Sequence, residues 1–64
     1  MDNHLYNLML QLTQEQKSLW RIQNNYLADA NEDKEAAALW QTIAAAKAEQ
    51  VKMLEAHIQK RMAA

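Results

Sequence analysis

No cysteine, proline, glycine or phenylalanine occurs among the 64 residues. Without cysteine there is no disulfide framework, no thiolate nucleophile and no thiolate metal site. The staples of a small secreted domain are therefore missing, and a cytoplasmic setting is expected. Without glycine the usual phosphate-cradling loop motifs are excluded. The same absence removes the residue that most readily ends a helix in the left-handed region, so a helix exit must use an asparagine there or a nonstandard cap. Long apolar runs are missing too. No window approaches the roughly 18 residues of a membrane span, and no basic stretch followed by an apolar run opens the chain as a signal peptide would. A soluble, unprocessed chain is expected. Net charge is only -1, and neither half carries enough of one sign to imply a nucleic acid or an acidic membrane as the main partner.

What remains is rich in Ala, Leu, Gln, Lys and Glu, residues that lose little freedom on entering a helix. A single all-α domain over residues 1–64 follows, because so short a chain covers only a limited fraction of its own surface. Leu5, Leu8, Leu12, Leu19, Ile22 and Tyr26 recur at helical spacing and predict a first helix from about residue 3 to 28. Asp2 or Asn3 is its candidate cap. Ala36, Trp40, Ile43, Lys47, Val51, Leu54 and Ile58, continued by Arg61 or Met62, predict a second helix from about 33 to 61. From Trp40 this series advances close to an 11-residue repeat, so straight or weakly supercoiled helices are expected.

Between the two series lies "DANEDKE", the only segment dense in Asn and Asp, which sets a turn at about residues 29–33. Asp29 with Glu32 resembles a capping box, and Asn31 or Asp33 offers an alternative cap. One uninterrupted helix would need a coiled-coil partner along its whole length, and the apolar pattern slips phase across residues 28–36, which favours an antiparallel two-helix hairpin. With a turn centred near residue 31, positions whose numbers sum to about 62 share a level. Leu12 then faces Val51, Leu8 faces Leu54, Leu5 approaches Ile58, Leu19 faces Ile43 and Ile22 faces Trp40. These ten residues form the expected core.

The stretch "LTQEQKSLWR" places Glu15 in the first apolar series, and the same rule puts it opposite Lys47, the ionisable member of the second. Three readings stay open. The two side chains form a pair that fixes helix register; or both swing on flexible stems to the edge and reach water; or Thr13 caps a new helix with Gln16 as its capping-box partner.

Apolar residues exceed what one stripe can bury. Tyr6, Met9, Trp20 and Leu27 form part of a second edge on the first helix, with Leu10 adding unevenly. Such an edge usually marks an interface, and a homodimer forming a four-helix bundle is the simplest closed solution. A partner helix from another protein competes for the same surface.

Chemistry finds little footing. His4 and His57 share a level, but no HxxxH, HExxH or Glu-x-x-His spacing joins them, and Leu54 stands where the last motif needs a carboxylate. Ser18 is the sole serine and has no activating group arranged beside it. No metal, cofactor or enzymatic activity is expected. Lys52, Lys60 and Arg61 gather toward the C-terminal part of the second helix and give the alternative reading, a dimeric helical nucleic-acid-binding regulator. Glu49 and Glu55 cut that field, and Lys60 and Arg61 also suit the negative end of a helix dipole. The leading expectation is a homo-oligomeric interaction or scaffolding module.

Overall fold

The computed structural model describes residues 2–63, which form an all-α hairpin with antiparallel packing of its two arms. The first arm contains α1 (Asn3–Arg21), a π-helical segment (Ile22–Tyr26) and α2 (Leu27–Asp29); the second is one helix, α3 (Lys34–Ala63). Asp2 starts the first arm. Its extended backbone turns the carboxylate onto the amides of His4 at 3.0 Å and Leu5 at 3.3 Å, which satisfies two donors that have no intrahelical acceptor.

The helix continues through "LTQEQKSLWR" without a break. Thr13 does not cap a new helix: it lies mid-helix, and its hydroxyl donates back to the Met9 carbonyl at 3.0 Å. The expected phase changes farther along, in the π segment. There the Leu27 amide donates to the Ile22 carbonyl, five residues back, so one extra residue is accommodated in that turn. Asn24 accompanies the irregularity, its side-chain amide donating to the Trp20 carbonyl at 2.8 Å. Asparagine competes in this way with the regular backbone ladder, which is why it favours such breaks.

The wider turn exchanges two neighbours. Tyr26, placed by strict helical phase in the inner series, is 37% exposed, while Leu27 rotates toward the inner stripe above Ile22 and is part-buried. Tyr26 packs instead on Trp40, with ring centroids 4.8 Å apart and planes tilted by 40°. A tilted aromatic pair at this distance adds about 1 kcal/mol beyond its buried area.

The exit from the first arm uses no left-handed residue; positive φ is absent among the described residues. Ala30 closes it instead at φ -87° and ψ 15°. The Ala30 amide reaches the Tyr26 carbonyl at 3.0 Å, Asn31 reaches Ala28 at 3.3 Å, and Asp33 reaches Ala30 at 3.0 Å. These tight successive bonds consume the last carbonyls without glycine. Of the candidate caps for α3, Asp33 takes the position, its carboxylate accepting from the Ala36 amide at 3.0 Å. Glu35 in the first turn, with Lys60 and Arg61 in the last, complements the helix dipole.

Leu5, Leu8, Leu12, Leu19, Trp40, Ile43, Val51 and Leu54 are all part-buried along the contact between the arms. Ile22, 1% exposed, and Ile58, 8% exposed, are buried, one near the turn and one near the open end. The core is therefore a narrow seam, and each residue in it matters. Ile22→Ala should cost about 2 to 4 kcal/mol in urea unfolding, whereas Leu10→Ala, at an exposed position, should cost less than about 0.5 kcal/mol. Equal effects would contradict this placement of the core.

Candidate interaction surface and register pair

At mid-length the seam is crossed by an ion pair. Lys47 Nζ donates to Glu15 Oε2 at 2.9 Å, and the two side chains retain 23% and 15% of their exposure. Gln11, one turn earlier on α1, donates its side-chain amide to Glu15 Oε1 at 3.0 Å. Both carboxylate oxygens are thus occupied. The Lys47 hydrogen bond holds the Glu15 carboxyl below the usual range; burial pushes the other way, and the lysine charge and Gln11 reinforce the depression.

A second cross-arm pair closes the open end, where Arg61 donates to an Asp2 carboxylate oxygen at 2.6 Å. Asp2 therefore both caps α1 and ties it to α3. The Arg61 hydrogen bond, followed by the Leu5 amide, lowers the Asp2 carboxyl from its usual value. This pair was legible in principle, since 2 and 61 nearly satisfy the level rule that puts Glu15 beside Lys47.

Outside the seam, Tyr6, Met9 and Trp20 are all exposed, Trp20 at 59%. Their spacing sets them along one edge of α1, with Thr13 and Gln16 between them. Leu27 stands apart from this expected group, because the π turn has moved it toward the seam.

The other side of the seam opens into a groove of about 520 Å³, lined by Gln11, Glu15, Gln50, Met53, Leu54 and His57. A neighbouring concavity toward the open end includes His4 and Arg61. Spacing within either helix does not define this groove, because its walls come from both arms. His4 and His57 thus border one concavity, yet among the described residues no three His, Cys, Asp or Glu side chains converge as metal ligands.

Lys52, Lys60 and Arg61 are exposed on α3, but no common stripe joins them. Lys52 and Arg61 are separated by two and a half helical turns and project from opposite faces. Arg61 is further committed to Asp2.

No family model, curated protein or solved structure matches the chain. Among the described residues, no helix is long and apolar enough to cross a membrane.

Replacing Glu15 and Lys47 singly and together with Ala should reveal a coupling of about 0.5 to 1 kcal/mol, the upper part of the range for partly exposed pairs. Additive losses would show that the contact contributes no stability. Acid provides a second check. Because Glu15 and Asp2 have folded-state values below their unfolded ones, their stabilisation is complete above the usual carboxylate range, about pH 4, and is lost as pH falls through the depressed values. The thermal midpoint should fall across that acid interval, and Glu15→Gln with Asp2→Asn should flatten the decline; an unchanged slope would contradict the assignment.

Proposed function

We propose that this chain is a homo-oligomeric protein-interaction or scaffolding module, a dimeric four-helix bundle in the cytoplasm with no catalytic step of its own. The observation that carries this reading is the exposed edge of Tyr6, Met9 and Trp20 beside a seam that buries only Ile22 and Ile58 among the described residues. Large aromatic and thioether side chains contribute most to an interface when a partner desolvates them, and aromatic residues and methionine are enriched at such surfaces. Packing a second hairpin against this edge supplies the additional layer that a lone helix pair lacks.

The module's work is recognition by complementary packing, and any chemistry belongs to what it holds together. The Glu15 and Lys47 pair serves this role indirectly. By keeping the arms in one axial register, it holds Tyr6, Met9 and Trp20 at fixed positions relative to α3. A polar group in a helical seam that selects one alignment is an attested device in helical assemblies.

The nucleic-acid reading draws less support, since Lys52 and Arg61 occupy opposite faces and Arg61 already neutralises Asp2. Duplex RNA and DNA should therefore show no salt-sensitive binding in titrations at low and high ionic strength; tight association that weakens steeply with salt would overturn this choice. Sedimentation equilibrium across micromolar concentrations tests the leading reading. It should report twice the chain mass at the upper end, whereas a folded monomer throughout would sink it.

A further inference from the structure

We propose that the second copy seats on the Tyr6, Met9 and Trp20 edge in the antiparallel sense, with the turn of each hairpin beside the open end of the other. This proposal rests on the interaction-module reading and adds the occupant's orientation and register. The first support is surface area. The chain exposes 5121 Å², whereas a compact protein of its 7.4 kDa mass exposes about 4200 Å². The excess of about 900 Å² is close to the roughly 800 Å² that each partner contributes to a standard interface. A second copy of this chain therefore has the right size of surface to cover.

Charge then selects the orientation. Residues 29–35 at the turn carry Asp29, Glu32, Asp33 and Glu35 against Lys34 alone. The opposite end carries Lys52, Lys60 and Arg61 against Asp2 and Glu55. One end is strongly acidic and the other mildly basic. A parallel dimer would bring two acidic turns together, while the antiparallel dimer sets each acidic turn beside the mildly basic open end of the other copy. Turn and open end lie far apart on a body 48 Å long, so the two orientations differ greatly in their electrostatic environment.

The edge itself has a matching symmetry. Met9 and Trp20 lie at nearly equal distances from the level of residues 14 and 15, where Glu15 meets Lys47. A twofold axis at that level brings Trp20 of each copy level with Met9 of the other, giving two equivalent indole and thioether contacts. The polar Thr13 and Gln16 fall beside the axis. In the parallel arrangement Trp20 would meet only Trp20, and the end charges would repel.

The chain's lack of cysteine makes site-specific spin labelling direct. Asn31→Cys labels the turn and Ala63→Cys labels the open end; both positions are exposed. Pulsed dipolar spectroscopy on labelled Asn31→Cys alone should give a separation of about 50 Å, twice the roughly 25 Å of helical rise between the axis level at residues 14 and 15 and the turn at residue 31. An equal mixture of the two labelled variants should add a separation under about 20 Å, the spacing of neighbouring helices plus label arms, that neither variant gives alone. A short separation in Asn31→Cys alone would overturn the antiparallel orientation while leaving the dimer intact. Absence of dipolar coupling in every sample, with circular dichroism still helical, would remove the dimer itself and the interaction-module reading with it.

Discussion

Two helices joined by one turn can cover only a single stripe of each other, and here that contact buries Ile22 and Ile58 while leaving the other core residues partly wet. Every other feature answers to this constraint. Apolar side chains beyond the seam have nowhere to go within one chain, so Tyr6, Met9 and Trp20 line an open edge. Polar groups inside the seam must find each other across it, as Glu15 and Lys47 do at 2.9 Å. The ends are tied by short-range devices: Asp2 joins capping to a cross-arm pair at one end, and consecutive tight amide bonds with an Asp33 cap form the other.

Much of this was legible because helical phase and a single turn position determine which residues share a level. Leu8 with Leu54, or Glu15 with Lys47, required only the 3.6-residue period and a chain reversal near residue 31. The same arithmetic reaches Asp2 and Arg61. Helical phase no longer fixes a side chain's direction where the helix itself changes period. The π segment is not encoded in apolar spacing; it involves one additional residue in a turn and an Asn24 amide donated to a backbone carbonyl. Its consequence is local but decisive for two residues, since Leu27 leaves the expected interaction edge for the seam and Tyr26 moves outward onto Trp40.

The choice among turn caps was similarly hidden. Asp29, Asn31 and Asp33 all have the required chemistry, and only the path of the backbone through Ala30 decides that Asp33 meets the Ala36 amide. The groove between Gln11 and Met53 has walls from both arms, which periodicity in either helix does not specify. Charge distribution, by contrast, passes directly from sequence to shape: a hairpin converts an acidic central segment and a basic C-terminal segment into two oppositely biased ends.

Function as an interaction module requires the edge at Trp20 to be buried by association. A Trp40→Phe variant leaves Trp20 as the sole indole and keeps an aromatic ring beside Tyr26. Acrylamide quenching of its fluorescence, followed as protein concentration rises through the micromolar range, measures that burial directly. Progressive protection with a blue-shifted emission is expected; an indole equally quenched at every concentration in a folded chain would contradict an interface at this edge.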